Sequence, residues 1–470
     1  MAGLRPAADG QRLRARRWDA IVLGSSLYAL VAAARLGAAG QRVLVLEEER
    51  AQTLHPALRE PFFLAGARDG GVLDACLREL NIPLIDRRRV APEPLAWQII
   101  DPKFRMDLGS PGITTEELTN WGLCENEQAG QLVRALAVAT EAERKVMLEA
   151  PVVRVGRRLG LSRGSGALTG AHNRGLPAEA RGVSPALNRV FEGQIQALSN
   201  LATASPSPEA RARLLGVALA GGAGFGEKPP WLHALLRRRV EAVHGEFRTL
   251  PGRFDIVEVD HEPGVVTEKG SELWIGRALL MAAAPSAIAP MLTGEAPPDF
   301  LNPDRPRCRR LSLHLRADRE VVPAGMCPRL ILLPPEPPNE TALPRDEVIS
   351  LTAFPVTDGS ERVDLVARVR VEPETDEKDV QDEILNRIHA LMPFSKGRIV
   401  CCDQKRPLWD DEGWLEDPEP GRSWPAEVDL RVPGRTPVYR LDRAGVAGLG
   451  LEGDLLLGWR AGDAIASDLR

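Results

Sequence analysis

Trp18 to Glu49 reads WDAIVLGSSLYALVAAARLGAAGQRVLVLEEE, and the reading of this stretch decides the fold. Asp19 to Leu23 is a short apolar run of the kind a parallel strand buried on both faces requires, and it stops at Gly24, where the backbone must turn sharply. A helix follows from Leu27 to Ala38. Ala29, Ala32, Ala33 and Ala34 are small enough to let its backbone lie close on a sheet, and Gly37 and Gly40 mark its end. Val43 to Leu46 is a second apolar strand, followed by Glu47. Strand, tight turn, helix, turn, strand is a βαβ unit of the dinucleotide-binding kind.

Its chemistry lies in two places. The helix N-terminus, formed by Gly24, Ser25, Ser26 and Leu27, offers unpaired backbone N–H groups and the positive end of the helix dipole to a pyrophosphate. Glu47, 23 residues after Gly24, has the spacing of a carboxylate that accepts ribose hydroxyls. Against G-x-G-x-x-G/A the chain has Gly24-Ser25-Ser26-Leu27-Tyr28-Ala29, so the second glycine is Ser26. That glycine lets the pyrophosphate approach the backbone closely. Ser26 either admits the phosphate and donates its hydroxyl or closes the site, and the sequence leaves both open.

Composition narrows the partners. The chain has 470 residues, enough for two or three domains, and is 44% hydrophobic and 27% charged, an ordinary globular balance. Lys and Arg number 60 against 65 Asp and Glu, a net charge of −5, so no basic excess asks for nucleic acid. The six cysteines, Cys76, Cys124, Cys308, Cys327, Cys401 and Cys402, show no C-x-x-C and read as reduced thiols of a cytosolic protein. His55, His172, His233, His244, His261, His314 and His389 form no metal-ligand spacing, and no metal is expected. Residues 1–17 read as a flexible basic tail. No segment reads as transmembrane, because the Gly-Ser-Ser break and Arg35 interrupt the apolar run from Ala20 to Gly40.

Outward from the opening unit, the sequence predicts a helix over Val72 to Leu80 and a hairpin pairing Leu95–Ile100 with Phe104–Leu108. Thr114 opens a helical region with Thr115 as its N-cap, and Gln128 to Leu148, Leu187 to Leu201 and Pro208 to Leu219 read as helices. Arg154 to Gly175 reads as a long Gly- and Arg-rich surface loop. Gly221-Gly222-Ala223-Gly224 then leads into WLHALLRRRVEAVHGEFRTL, read as a helix. Strands follow at Asp255–Val259, Val265–Val266 and Glu272–Ile275, and Leu279 to Ala284 is a buried strand running into Pro285. Leu311–Leu315, Leu330–Leu333, Val348–Phe354 and Val363–Val371 read as a second set of strands before a helix over Lys378–Leu391. PPEPP, from Pro334 to Pro338, is a stiff connection. WDDEGWLEDPEPGRSW, Trp409 to Trp424, is an interaction patch, a pocket wall, or a surface loop pinned by its tryptophans. The C-terminal part has a strand at Thr436 to Asp442, a glycine turn at Gly448-Leu449-Gly450 and a helix from Leu451.

This order resembles the phytoene desaturase-like, carotenoid and retinoid FAD-dependent oxidoreductases, a family related to the amine oxidases. Gly221, Gly222 and Gly224 match the family's G-G-x-G turn, and Ala284-Pro285 the strand end near A-x-P. GLGLEGDLLLGWRA is similar to its closing motif, with Gly448, Gly450 and Gly453 on the motif's glycines. The resemblance implies an α/β fold: a Rossmann-like, GR2-type FAD-binding domain with an inserted α+β substrate domain. It divides the chain into FAD-binding segments at 18–110, 221–295 and 431–470, a helical part of the substrate domain at 111–220 and its sheet at 296–430. It implies that the backbone from Phe254 and Asp255 to Ile256 meets the adenine, that Asp442 takes the flavin ribityl chain, and that Leu449 lies with the glycines against the cofactor. Two departures stand out. The family's R-x-G-G-R segment is replaced by Arg50-Ala51-Gln52-Thr53-Leu54-His55, and Leu441 stands where a glycine precedes the ribityl carboxylate.

The function implied is an FAD-dependent oxidoreductase acting on a small apolar, isoprenoid- or polyene-like substrate by hydride exchange with the flavin. Flavin chemistry asks the protein chiefly for orientation and dryness, so the lack of an evident catalytic residue is no objection. The alternative is a pseudoenzyme that keeps the fold as a binding or scaffold module. A nicotinamide dehydrogenase ranks third, since such enzymes do not use the C-terminal glycine turn. Peripheral membrane contact would suit an isoprenoid substrate, although no amphipathic basic helix argues for it.

Overall fold

Ala20, Ile21, Val22 and Leu23 are inaccessible to solvent because their strand lies inside an eight-stranded sheet. A computed structural model of the chain describes residues 4–7, 15–68, 70–149, 152–155, 175–203, 205–225, 231–268, 270–294, 298–301, 308–335, 347–355, 361–402, 408–417, 424 and 427–470. The strand Ala15–Leu23 runs parallel to Val43–Glu48 on one side and to Leu273–Met281 on the other, and Glu246–Leu250 extends the sheet beyond Val43–Glu48. The hairpin of Phe254–Val259 and Glu262–Thr267 extends it the other way, and Val438–Arg440 joins the far end of Leu273–Met281.

The helix Leu27–Ala38 packs between two others, Leu232–Ala242 and Leu451–Asp468. Its small residues are explained by how close they come. A side chain at Gly458 would stand 2.4 Å from the Tyr28 carbonyl oxygen, one at Gly462 2.5 Å from Arg35 Cβ, and one at Gly37 2.5 Å from Val243 Cγ2. Contacts this close exclude anything larger than glycine, so the sequence spends helix propensity to gain packing.

The second sheet has seven strands in the order Ile399–Cys401, Arg309–Asp318, Arg362–Val371, Ile349–Pro355, Arg329–Leu332, Leu95–Asp101 and Phe104–Gly109. Pro111–Asn120, Asn126–Glu149, Pro185–Leu198 and Pro208–Gly216 supply its helical companion. The expected architecture, a Rossmann-like α/β domain carrying an inserted α+β unit, is the one the chain adopts.

Local differences have identifiable causes. The hairpin Leu95–Gly109 belongs to the second sheet, not to the first domain segment, because Gln98–Ile100 pairs in parallel with Leu330–Leu332 and buries Trp97 and Ile99 in the second core. Residues 1–17 are not all tail. Arg5–Pro6 pairs in parallel with Val257–Glu258, Arg5 forms an ion pair with Asp255, and the first long strand begins at Ala15. EFRTL is a strand rather than the end of a helix, since His244 at φ +63° turns the chain out of the helix that ends at Ala242. Glu272–Ile275 and Leu279–Ala284 merge into the single strand Leu273–Met281. Ser110 with Pro111 at the first helical position, not Thr115, starts its helix. Residues 156–174 of the Gly- and Arg-rich stretch and the part of PPEPP from residue 336 on lie outside the described residues.

Candidate functional site

Gly24 turns the chain at φ +110° and Ser26 starts the helix without capping it through its own side chain, so the first backbone N–H groups point out of the helix end. They do not point into an open cradle. The Ser25 N–H and hydroxyl both donate to Asp410 Oδ2, the hydroxyl at 3.1 Å, and the Leu27 N–H donates to Glu412 Oε1 at 3.0 Å. A side chain at Gly24 would meet Asp410 Cβ at 2.9 Å, so the space over this glycine is filled by residue 410. Arg59, itself buried, ties the cluster together. It donates to Ser25 Oγ at 3.1 Å, to the Ser25 carbonyl at 3.0 Å and to Asp410 Oδ2 at 3.2 Å, and it lies 3.6 Å from Glu412 Oε1. Asp410 stands 385 residues from Ser25 in the chain.

Glu47 sits at the end of the second strand, where the spacing places it, but both of its oxygens accept from Arg237 at 2.6 Å. Arg237 in turn stacks over Phe247, 3.8 Å from its ring centre. Phe254 and Asp255 open the hairpin strand. The Asp255 carboxylate is held by Arg5, and it accepts from the Ile256 N–H. The Phe254 ring meets the edge of Trp409, with ring centres 5.1 Å apart. Trp409 is buried, with its backbone N–H donating to Glu48 Oε2 at 3.0 Å and its backbone carbonyl accepting from the Ala284 N–H at 3.3 Å.

At the C-terminal motif, Gly450 at φ +58° lies so close to Leu198 that a side chain would fall 1.9 Å from its carbonyl oxygen, and Gly448 packs against Pro206 and Ala210. Leu449 is buried beside Leu27 in one cleft. The first turn of the last helix carries Glu452 and Asp454, paired with Arg213 at 2.6 Å and Arg443 at 2.9 Å. Both helix ends that face this cleft are therefore met by carboxylates of the chain itself. Asp442 is turned to Arg440 at 2.8 Å and to the Ala444 N–H at 2.9 Å.

The cleft that the two glycine turns share encloses about 850 Å³ of empty space, open solvent at its mouth included, and it mixes Phe62, Phe63 and Leu214 with Arg310, Arg368, Glu60 and Glu412. Its charges perturb one another. Burial pushes Glu60 up to about 8 and Glu412 up to about 7, and it raises Asp411 as well. Burial and the neighbouring Arg59 hold His233, whose Nε2 lies 2.7 Å from the Ser25 carbonyl, well below its usual range. Glu60-Pro61-Phe62 also borders a second cavity of about 920 Å³, walled by Leu64, Phe225, Trp231 and Phe354.

Sequence reading missed Arg59, Asp410, Glu412 and Arg237. The acidic Trp409–Glu412 run was visible only as a patch, a wall or a loop, and the structure makes it the filling of the cradle. The histidines also behave differently from expectation: His55, His314 and Asp364 come together with their ligand atoms within 4.8 Å of one another. Asp364 accepts from His314 at 2.9 Å and Arg316 at 3.1 Å, and His55 Nε2 lies 3.6 Å from its other oxygen. The six cysteines form no disulfide, and among the described residues no helix is long and apolar enough to cross a membrane.

No protein-family model and no curated protein matches the sequence. Solved structures do match its fold. An oxidoreductase from Methanosarcina mazei aligns over 94% of this chain and 99% of its own, with a TM-score of 0.57 and 14% identity. Cyclohexylamine oxidase from Brevibacterium oxydans aligns over 96% and 99% with a TM-score of 0.51 and 14% identity, and a putrescine oxidase triple mutant over 97% and 100% with the same score and identity. The chain thus shares its fold with these oxidases and with the oxidoreductase. In the form described, the residues of the cradle do not fit the ADP half of FAD, because Asp410, Glu412 and Trp409 take the donors and the space that half would need.

Proposed function

We propose that the chain is an FAD-dependent oxidoreductase of this fold acting on a small apolar substrate, with its opening cradle closed by residues Trp409 to Glu412. The observation that carries this reading is the convergence of Leu27 and Leu449, each beside one of the two glycine turns, on one cleft that shares the Glu60-Pro61-Phe62 segment with an aromatic-walled cavity. That cavity, with Trp231 set edge-on to Phe354 at 4.9 Å, suits an apolar ligand. An isoprenoid or polyene undergoing desaturation, saturation or isomerisation is the substrate class that the phytoene desaturase resemblance favours. The residues assign no catalytic acid or base.

The test is the visible absorption spectrum of the purified protein before and after incubation with FAD. Flavin bands that survive desalting are expected, together with their loss in Glu47→Ala, which removes the carboxylate placed for the ribose. A protein that stays colourless in excess FAD, in the wild type and in a variant whose cradle has been opened, would remove the reading. One observation favours a second reading, a binding protein that works without flavin: the cradle is filled and hydrogen-bonded by the chain's own residues.

A further inference from the structure

We infer that Trp409, Asp410 and Glu412 form a built-in stand-in for the adenosine diphosphate half of a dinucleotide, and that an external adenine nucleotide must displace them to enter. The inference rests on the FAD-dependent reading for the identity of that competitor, and on geometry for the rest.

The correspondence holds group by group. A flat heteroaromatic ring, the Trp409 indole, lies against Phe254 in the buried cluster that holds Leu44, Leu46 and Leu250, beside the ends of the strands that carry Glu48 and Phe254. Two anions follow it in the chain. Asp410 takes the Ser25 N–H and hydroxyl and Glu412 takes the Leu27 N–H, the donors that a helix N-terminus directs at phosphate oxygens. A cation completes the set, for Arg59 bridges Asp410 and Ser25 as a guanidinium bridges a diphosphate and its loop. A ring, two carboxyls, helix-end donors and an arginine together make a nucleotide-like set of groups that already occupies the helix end.

The segment is also a strained occupant. Four carboxyls, those of Asp410, Glu412, Glu47 and Asp411, act on Arg59, with Arg368 approaching from the second sheet and His233 from the neighbouring helix. A group held against like charges is easier to exchange for a ligand than one held in a balanced pair.

The experiment is a titration of the whole chain with ADP and, separately, with FAD, followed by calorimetry and by hydrogen exchange of the peptide spanning Leu408 to Gly413. In the wild type, saturating ADP should speed exchange in that peptide. Glu412→Gln and the double variant Asp410→Asn, Glu412→Gln should each bind ADP more tightly, the double variant at least tenfold. The neutral amides keep the shape of the side chains, and Glu412→Gln alone serves if the double variant does not fold. Equal affinity in wild type and variants, binding that leaves exchange in 408–413 unchanged, or no binding of ADP to any of them would each overturn the inference. If the variants take up ADP and FAD but show no flavin-linked oxidation or reduction, the inference stands and the oxidoreductase reading falls. If wild type and variants bind FAD equally well, the reading stands and the inference falls.

Discussion

Around Arg59 the acids outnumber the bases, and this imbalance makes the protein sensitive to pH. Glu60 accepts the Leu232 and His233 N–H groups at 3.0 and 3.3 Å and so holds the start of the helix Leu232–Ala242, yet burial raises it to about 8. Glu412, at about 7, is raised for the same reason. In the unfolded chain both titrate near 4.5, so between pH 4.5 and 7 to 8 the folded state holds more protons and stability falls as pH rises. Below about pH 6.5 the depressed His233 and His55 act in the opposite sense, since the unfolded chain takes up protons that the folded one refuses. The carboxyl effect is therefore clean only above that value. We expect urea unfolding to give a protein about 2 kcal/mol less stable at pH 8 than at pH 6.5, with the slope flattened in Glu60→Gln, Glu412→Gln. A stability that rises across this window would show the two carboxyls to be ionised in the fold. At this scale the sequence was legible where backbone geometry imposes a residue, as at Gly24. It was silent on Arg59 and Asp410, because a charge pair spanning hundreds of residues leaves no spacing to read.

Among the elements, the helices that sandwich Leu27–Ala38 were the most readable part of the chain. Ala29, Ala32, Ala33 and Ala34 announce close packing, and the small residues of Leu451–Asp468 announce the partner, because close approach leaves a compositional mark on both sides. The strand Glu246–Leu250 was hidden by the helical residues ahead of it: nothing in VEAVHGEFRTL signals the break except His244-Gly245, where a non-glycine residue adopts a left-handed conformation. The hairpin Leu95–Gly109 was found as a hairpin and given to the wrong domain, since pattern tells a strand from a helix but not which sheet will receive it. The packing argument predicts that Gly458→Val and Gly462→Val each destabilise the fold by about 3 kcal/mol or more in urea unfolding, by forcing apart the two helices they join. Gly112, with open space around its Cα, is the control. Gly112→Ala should be neutral or stabilising by up to about 1 kcal/mol. Equal effects at the three sites would discard the close-packing account.

Over the whole molecule, arginines of the second sheet reach out to connecting segments. Arg368 reaches from the second sheet to the Ala57 and Glu60 carbonyls, and Arg310 to Asn200 Oδ1 and the Ser199 carbonyl. Both arginines line the cleft, and a charged lining is the part of a fold that composition and periodicity describe least. The Rossmann-like domain itself is assembled from distant pieces: its opening helix is covered by Leu451–Asp468, and its sheet takes in Val438–Arg440. A chain cut before Leu451 should accumulate as insoluble or chaperone-bound protein, with lost protection of residues 27–38 in hydrogen exchange; a soluble, cooperatively unfolding product would contradict this. Synthesis adds an order to these events. On the ribosome the carboxylates of residues 410 and 412 emerge before the helix that covers Leu27–Ala38, so they are at hand when that helix docks and the cradle takes shape. A nucleotide meeting the newborn protein therefore competes with carboxylates tethered to the same chain.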